Sequence, residues 1–459
     1  METFDVVVIG AGPAGETVAG RCADGGLSVA IVERELVGGE CSYWGCIPSK
    51  TLIRPGDVLA AARRVPGAAA AVTGRMDVAA ALARRDFMTS SWHDDGQLPW
   101  LEDKGITLVR GAGRLTGDRR VDVSAGTATR ELSARIAVVL ATGTGVLVPP
   151  VEGLADARPW DNRSATGTQG IPERLFVLGG GAVGVELAQA FRRLGSAEVT
   201  VAEGGGRLLA REEPFAGEQV RAAFEAEGIT VLTNARVSAV KRDGSVVATL
   251  TDGRQYEADE ILVAVGRRPA TADVGLETVG LTAGRYVDVD ERLRAAGVPG
   301  GWLYAVGDCN GRAPLTHMGK YQARIAADVI LGRDVQDRAS RDVVPRVTFT
   351  DPQVSAVGLT ERQAWDRNLR IRTVSVDTGA VPGAYVLGEG ISGTSMLVVD
   401  ADREVLVGAT FTGPDTQELL HSATVAIAGG VPLPVLWHAV PSFPTVSEVW
   451  LRLLEAYGI

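Results

Sequence analysis

The sequence is poor in the residues that build disulfide frameworks and metal centres. Its 459 residues include only four cysteines and four histidines, which are too few and too dispersed for a zinc site of four ligands. They are also too few for a disulfide-stapled domain. Redox or acid-base chemistry must therefore depend on a small number of side chains, and we expect no metal site.

An excess of basic residues and a long apolar run are absent as well. The 46 basic and 56 acidic residues give a net charge of −10, so no positive field attracts nucleic acid or an anionic membrane surface. Glycines and prolines interrupt residues 423–440, which therefore cannot supply the roughly 20 apolar residues of a membrane span. The opening METFDVVVIG has no basic leader. We expect a cytoplasmic protein without nucleic-acid binding or membrane insertion.

Two copies of one strand-turn-helix pattern stand out in an otherwise ordinary globular composition. The copies are FDVVVIGAGPAGETVAG and RLFVLGGGAVGVELAQAF. In each copy, a short β-branched apolar run indicates a buried parallel strand, and Ala, Val and Leu at helical spacing follow the glycines. Both copies therefore predict the opening of a βαβ unit.

Each copy carries a G-x-G-x-x-G turn followed by an acidic residue at the end of the next strand. The glycines are Gly10, Gly12 and Gly15 in the first copy and Gly179, Gly181 and Gly184 in the second, and the acids are Glu33 and Glu203. Such glycines permit a tight turn and close approach of backbone N–H groups to a pyrophosphate, while the acid accepts hydrogen bonds from a ribose. Glycine turns after strands also arise for structural reasons alone, but the full context favours two dinucleotide sites.

Glu203 bears on which nicotinamide cofactor binds. A carboxylate pairs with a free 2′-hydroxyl and repels a 2′-phosphate, so NADH is favoured over NADPH. Arg207 and Arg211 lie near in sequence and act against this preference.

Cys41 and Cys46 form a candidate redox pair in the stretch GGECSYWGCIPSK. A disulfide between them would close a loop too short to add more than about 2 kcal/mol of stability. On an ideal helix, side chains five residues apart point about 140° apart, so a bridge requires a distorted turn, and strained bridges are easily reduced. Lys50, four residues after Cys46, is expected on the same helix face. Glu186 is expected in the first turn of the second copy's helix, where pairing with the helix dipole is one explanation.

Together these motifs resemble the class I pyridine nucleotide-disulfide oxidoreductase family, which includes dihydrolipoamide dehydrogenase, glutathione reductase and mercuric reductase. The resemblance covers the whole chain and includes ATG at 141–143, AVGRRPAT at 264–271, YAVGDCN at 304–310 and FTDPQVSAVGLTE at 349–361. It implies an α/β fold with two Rossmann-like dinucleotide-binding domains and a C-terminal α+β dimerisation domain. The implied segments are 1–150 and 271–342 for FAD binding, 151–270 for NAD binding and 343–459 for dimerisation. It also implies a homodimer with a shared active site.

The resemblance assigns FAD to the first turn and a nicotinamide dinucleotide to the second. Cys41 would then be the interchange thiol and Cys46 the flavin-facing thiol, with Lys50 and Glu186 as an ion pair beside the flavin. Further cofactor contacts would come from Gly113, Thr142, Gly143, Asp308 and His317 on the FAD side and from Gly266 on the nicotinamide side.

The sequence departs from the family pattern at the residue that would transfer protons. The usual H-P-T-x-x-E reads Phe443-Pro444-Thr445-Val446-Ser447-Glu448, so the glutamate is kept and the histidine is replaced. His438 and Tyr43 are alternative donors. The expected activity is NADH-dependent, FAD-mediated reduction of a disulfide substrate. Two alternatives stay open: reduction of a quinone, metal ion or other small-molecule acceptor, and a structural role as a flavin-bearing subunit.

Overall fold

The computed structural model describes residues 1–459, which divide into two compact units. Unit 1 comprises Met1–Pro48, Asp86–Val146 and Arg267–Arg341. Unit 2 comprises Ser49–Arg85, Leu147–Gly266 and Asp342–Ile459. The four segments expected from the sequence stay a prediction.

The chain alternates strands and helices over most of its length. The strands are β1 (Glu2–Ile9), β2 (Val29–Glu33), β3 (Thr107–Arg110), β4 (Ala112–Gly117), β5 (Arg120–Ala125), β6 (Ala128–Leu140), β7 (Thr144–Val146), β8 (Arg174–Leu178), β9 (Glu198–Ala202), β10 (Ile229–Leu232), β11 (Val237–Asp243), β12 (Ser245–Leu250), β13 (Gln255–Ala258), β14 (Glu260–Val263), β15 (Arg267–Pro269), β16 (Leu303–Ala305), β17 (Arg346–Thr348), β18 (Gln353–Gly358), β19 (Ile371–Asp377), β20 (Thr394–Asp400) and β21 (Val405–Gly413). The helices are α1 (Pro13–Asp24), α2 (Gly39–Tyr43), α3 (Cys46–Arg64), α4 (Val78–Met88), α5 (Leu98–Asp103), α6 (Asn162–Gly167), α7 (Ala182–Leu194), α8 (Pro214–Ala226), α9 (Thr316–Ile330), α10 (Glu361–Asp366), α11 (Pro382–Leu387), α12 (Thr416–Gly429), α13 (Leu433–Leu436) and α14 (Val449–Tyr457).

Unit 1 is built on one mixed sheet with the strand order β3-β2-β1-β6-β5-β4, and β16 also pairs with β6. Strands β3, β2, β1, β6 and β16 are parallel, whereas β4 and β5 pair antiparallel. Val6, Val7 and Val8 of β1 are fully buried, because α1 and α9 pack on one face of the sheet and a second apolar cluster covers the other. This burial on both faces explains the continuous Val/Ile run in the sequence.

Unit 2 repeats the parallel arrangement and adds antiparallel sheets. The parallel sheet has the order β10-β9-β8-β14, and β11-β12-β13 form a separate antiparallel sheet. The C-terminal part is a five-stranded antiparallel sheet, β17-β18-β21-β20-β19. Phe411 of β21 packs with Trp450 of α14 in the core below it. The α/β class with two Rossmann-like regions is thereby confirmed.

The cysteine motif is divided between two helices. Helix α2 carries Cys41 and ends at Tyr43, and Cys46 begins α3 after Trp44 and Gly45. Lys50 follows in the same helix α3, as expected. The two cysteines therefore lie on different helices, which removes the angular problem of a single regular helix.

No helix of the fold combines the length and the apolar character that crossing a bilayer requires.

Candidate active site

The first glycine turn joins β1 to α1 with almost no free space. Gly10 has a φ of 103°, and a Cβ at this position would lie 2.4 Å from the carbonyl oxygen of Ala141. A Cβ on Gly15 would lie 1.9 Å from the carbonyl oxygen of Gly10. Only glycine fits either position. Glu33 holds the turn from the side: its carboxylate accepts the Ala11 N–H at 2.8 Å and the Glu35 N–H at 2.7 Å.

The second glycine turn, between β8 and α7, reproduces this construction. A Cβ on Gly184 would lie 2.0 Å from the carbonyl oxygen of Gly179. The Glu203 carboxylate accepts the Gly180 N–H at 2.7 Å and the Gly205 N–H at 2.6 Å. Glu33 and Glu203 therefore bind the backbone of equivalent turns, a role beyond the ribose contact expected from the sequence.

Both turns present an open helix N-terminus, which fits a pyrophosphate. Gly12 and Gly181 are the N-cap residues of α1 and α7, and neither helix has a side-chain cap. A Cβ on Gly181 would meet no atom within 4 Å, and one on Gly12 would meet only the Cα of Gly39 at 4.0 Å. The uncapped N–H groups and the positive helix ends favour an anion in this space.

The residues expected on the FAD side lie in unit 1, around the ends of β4, β6 and α9. Gly113 packs against Ile9 and Val32. Thr142 has a buried hydroxyl without a hydrogen-bond partner, which fits a ligand contact. A Cβ on Gly143 would meet open space. His317 is exposed in the first turn of α9.

Asp308 belongs to a hydrogen-bonded chain that the sequence did not reveal. The Thr144 hydroxyl donates to Asp308 Oδ2 at 2.8 Å and accepts from Arg267 Nε at 2.7 Å. Arg267 also pairs with Glu40, the residue before Cys41, at 3.3 Å. Burial raises the pKa of Asp308, against the opposing effects of Thr144 and Arg267. Within unit 1, this chain connects the cysteine loop to the turn after β16.

The structure contains Cys41 and Cys46 as thiols, both partly exposed. Cys46 is the first residue of α3, and its Sγ lies 3.4 Å from Oγ1 of Thr316, the first residue of α9. Two helix N-termini therefore face Cys46, which favours a thiolate there. The hydrogen bond to Cys46, followed by burial, raises the pKa of Cys41. Of the two thiols, Cys41 is therefore the one that retains its proton.

Lys50 and Glu186 meet in unit 2. Lys50 Nζ lies 2.6 Å from Glu186 Oε2 and 4.8 Å from the centre of the Phe349 ring. The Phe349 N–H donates to the other oxygen of Glu186 at 2.9 Å. The placement of Glu186 in the first turn of α7 was wrong: α7 begins at Ala182, so Glu186 lies in the second turn. Lys50 and the Phe349 N–H, rather than the helix dipole, account for its buried carboxylate.

Around the second turn, one nitrogen of the Arg207 guanidinium is bonded to the backbone, whereas its Nε is buried without a hydrogen-bond partner. Its guanidinium donates to the carbonyl oxygens of Ala210 and Glu212, both at 2.8 Å. Arg211 is exposed. Gly266 has a φ of 143°, and its carbonyl oxygen accepts the Leu147 N–H at 3.1 Å.

The segment that departs from the family pattern lies in unit 2. Phe443 is 72% exposed, whereas Glu448 is only 6% exposed and its Oε2 has no hydrogen-bond partner. His438 is exposed. In unit 1, the Tyr43 hydroxyl is buried and donates to the Val37 carbonyl at 3.0 Å, and burial raises the pKa of Tyr43 to about 12. Tyr43 is thus poorly suited to the proton transfer considered for it.

No group of three or more His, Cys, Asp or Glu side chains is arranged to hold a metal ion.

Comparison with known families agrees with this construction. Residues 4–323 match the pyridine nucleotide-disulphide oxidoreductase family, and residues 344–453 match the pyridine nucleotide-disulphide oxidoreductase dimerisation domain. The C-terminal sheet with α12 and α14 is therefore the dimerisation domain expected from the sequence.

Curated relatives carry two kinds of name. The chain is 33% identical over 466 residues to dihydrolipoyl dehydrogenase of Thermus scotoductus, covering 99% of this chain and 98% of that protein. It is 30% identical over 452 residues to mercuric reductase of Staphylococcus aureus, covering 97% of this chain and 81% of that protein.

Solved structures share the whole fold. The HOCl-induced flavoprotein disulfide reductase RclA from Escherichia coli, determined as a Cu(II) complex, has a TM-score of 0.87 at 26% identity and 99% coverage of both chains. LpdA from Mycobacterium tuberculosis has a TM-score of 0.87 at 26% identity and 100% coverage of both chains. With two equivalent dinucleotide turns, a cysteine pair and a matching dimerisation domain, the chain belongs to the class I pyridine nucleotide-disulfide oxidoreductases, a family of flavin-dependent enzymes.

Proposed function

We propose that this protein is an NADH-dependent flavoprotein that reduces a disulfide substrate through Cys41 and Cys46. The Gly10–Gly15 turn with Glu33 would hold FAD, and the Gly179–Gly184 turn with Glu203 would hold NADH. When bound, FAD supplies chemistry that the side chains lack, since it accepts a hydride and passes two electrons to a disulfide. The observation that carries the proposal is the thiol pair itself, in which Cys46 lies at two helix N-termini and Cys41 is hydrogen-bonded to it.

The environment of the two cysteines supports different chemical roles for Cys41 and Cys46. The N-termini of α3 and α9 would stabilise Cys46 as a thiolate. Cys41 keeps its proton while that thiolate is present, because their hydrogen bond raises the pKa of Cys41. Cys41 would lose this proton before it attacks a substrate.

The exchange would then proceed in two steps. The Cys41 thiolate attacks one sulfur of the substrate disulfide, so the substrate S–S bond breaks and one half leaves as a thiolate. Cys46 attacks the Cys41 sulfur of the mixed disulfide, which releases the second half and closes the Cys41–Cys46 bond. Two electrons reach the substrate, and two protons complete its two thiols. NADH oxidation would restore the dithiol.

The proposal is tested by anaerobic reduction of the holoenzyme with NADH. A long-wavelength charge-transfer band from the Cys46 thiolate is expected after the addition of two electrons. The band should be absent in Cys46→Ser and should persist in Cys41→Ser. An unchanged spectrum in Cys46→Ser would rule out this dithiol mechanism.

Two features around the second turn support NADH as the reductant. Glu203 places a carboxylate at the end of β9, where a 2′-phosphate would be repelled. Arg207, the nearest candidate for binding such a phosphate, already donates to Ala210 and Glu212.

A homodimer with a shared active site is supported by the dimerisation domain and its exposed apolar side chains. Val440 is 84% exposed, and Val435 and Phe443 are also largely exposed. Burial of these residues against a second copy would remove an apolar surface from water. Sedimentation should give twice the chain mass, and a monomer at all concentrations would contradict the proposal.

The replacement of the family's histidine by Phe443 favours a second candidate function. Phe443 cannot protonate a leaving thiolate, whereas a quinone, a metal ion or another non-disulfide acceptor would not need that proton transfer. The holoenzyme and Phe443→His should be compared on lipoamide, small disulfides, quinones and metal ions. If a disulfide is the substrate, the histidine should raise disulfide turnover by about 10²-fold. Disulfide turnover that stays low beside fast quinone or metal reduction would favour the second candidate.

A further inference from the structure

Three charged residues of α3 repeat at intervals of seven and form one side of what we call the polar ladder. They are Lys50, Asp57 and Arg64. Because seven residues are close to two turns of an α-helix, these side chains lie along one face. Each meets an opposite charge in unit 2: Lys50 pairs with Glu186, Asp57 with Arg193 and Arg64 with Asp351.

The other side of the polar ladder comes from α7 and the segment after β17. On α7, Glu186, Gln189 and Arg193 are spaced by three and four residues and therefore share a face. The Phe349 N–H donates to Glu186 at 2.9 Å, and the Asp351 N–H donates to Gln189 Oε1 at 2.8 Å. Gln189 in turn donates to the Asp351 carbonyl oxygen at 3.0 Å. The segment 349–351 is thus fixed along the face of α7 that carries Glu186.

Arg193 is the centre of the polar ladder. Its guanidinium contacts Asp57 at 3.0 Å, Glu227 at 2.6 Å and Asp351 at 2.7 Å, and its side chain is only 12% exposed. Gly56 makes room for it, since a Cβ at that position would lie 2.8 Å from Arg193 Cδ. One largely buried cation therefore joins α3, α7, the residue after α8 and the segment after β17.

The Lys50 end and the Arg193 centre of the polar ladder differ in how firmly their side chains are held. Lys50 has a flexible stem and is 36% exposed, and a single ion pair at such a site places an ammonium weakly. Arg193 makes several bonds at once in a buried position, and removal of such a group leaves its partners unpaired. Arg193 contacts α3 at Asp57, two helical turns after Lys50. It therefore fixes the spacing between α3 and α7, on which the distance between Lys50 and Glu186 depends.

We propose that Arg193 is a positioning residue for the Lys50–Glu186 ion pair, because it joins the two helices that carry the pair. The inference rests on the proposed function, together with the family resemblance that places Lys50 and Glu186 beside the flavin. Arg193 itself touches no reacting atom.

The test measures how freely the Lys50 amine reacts in the holoenzyme. A brief pulse of an acetylating reagent, followed by peptide mass spectrometry, gives the labelling rate of Lys50 relative to Lys241, an exposed lysine on β11. In Arg193→Met, which keeps an unbranched apolar stem, the ratio should rise about fivefold, corresponding to a coupling of about 1 kcal/mol. In Arg193→Lys the ratio should return toward the native value.

Two control variants calibrate the labelling ratio of Lys50. Glu186→Gln breaks the ion pair directly and sets the upper limit of the ratio. Arg63→Met removes an exposed arginine from the same α3 and should leave the ratio unchanged. A lower melting temperature in Arg193→Met together with an unchanged ratio would show a merely structural role and overturn the proposal.

If Arg193→Met does not fold, Asp57→Asn weakens the same contact from the α3 side. Its ratio should rise at least about twofold, and a native ratio would overturn the proposal. These outcomes are independent of the proposed disulfide reduction, because labelling needs no turnover and the charge-transfer band is measured separately.

Discussion

The three carboxylates around Arg193 should give the protein a characteristic dependence of stability on pH. Arg193 contacts all three, Asp57, Glu227 and Asp351, and Arg64 also contacts Asp351. Burial raises the pKa of Asp57 to about 6 from an ordinary 3.8, against the pull of Arg193 and with help from the charge of Asp351. Burial alone would also raise the pKa of Asp351, but Arg193 and Arg64 hold it below its ordinary value. Asp57 is therefore the carboxyl of this pair that takes up a proton first.

The sign and size of the effect on stability follow from the ordinary and the folded-state pKa of Asp57. Because the folded-state pKa of Asp57 lies above its unfolded value, the contribution of Asp57 to stability is fully present below about pH 4 and is lost as the pH rises through about 6. The difference of about two pKa units corresponds to about 3 kcal/mol. Asp57→Asn removes the titration and keeps an oxygen that can accept a hydrogen bond from Arg193.

The assay is urea unfolding of the holoenzyme and of Asp57→Asn between pH 4 and pH 7.5. Relative to the variant, the native protein should lose about 3 kcal/mol of unfolding free energy across this range. Asp156→Asn, at an exposed position in the same unit, is the control and should give a curve parallel to the native one. Parallel curves for Asp57→Asn and the native protein would refute the reasoning.

Four further predictions concern the two glycine turns and the helix and strand beside them. Gly184→Ala should destabilise the protein by several kcal/mol, because its Cβ would overlap a backbone oxygen; Gly181→Ala should keep the melting temperature and weaken NADH binding, since its Cβ enters the open space at the helix end. Burial raises the pKa of Glu16, in the first turn of α1, to about 7. If the N-terminus of α1 holds the pyrophosphate as proposed, FAD binding by the apoprotein should weaken several-fold from pH 6 to pH 8 as this carboxylate ionises, and Glu16→Gln should abolish the dependence in a fluorescence titration. Glu203→Ala should reduce the NADH to NADPH ratio of kcat/KM about tenfold; an unchanged ratio would place the discrimination elsewhere.

Much of the fold was accessible from local patterns. Continuous Val/Ile runs followed by glycines predicted β1 and β8 and the helices after them, because a strand buried on both faces needs apolar residues at every position. A bridge between Cys41 and Cys46 was expected to require a distorted turn, since a regular helix would point the two side chains apart. The four domain segments and the cytoplasmic location stay predictions.

The polar ladder shows why other contacts could not be predicted from the sequence. Asp57, Arg193 and Asp351 are far apart in the chain, and charged residues on a helix usually face solvent. The seven-residue repeat of Lys50, Asp57 and Arg64 was a visible signal, but it did not say which element would supply the partners. The same holds for Thr144 and Arg267, whose contacts to Asp308 and Glu40 depend on how strands pair.

The sequence by itself determined which chemistry this chain can carry: two dinucleotide turns, one cysteine pair and no histidine at the family's proton-transfer position. These conclusions follow from residue type and short spacing, because a tight glycine turn or a thiol pair is built within a few residues. Only the tertiary structure decided the electrostatic setting of those groups, including the position of Cys46 at the α9 N-terminus, the partner of Glu186 and the central position of Arg193. These contacts form where elements distant in sequence pack together. Burial there strengthens each electrostatic interaction and hydrogen bond.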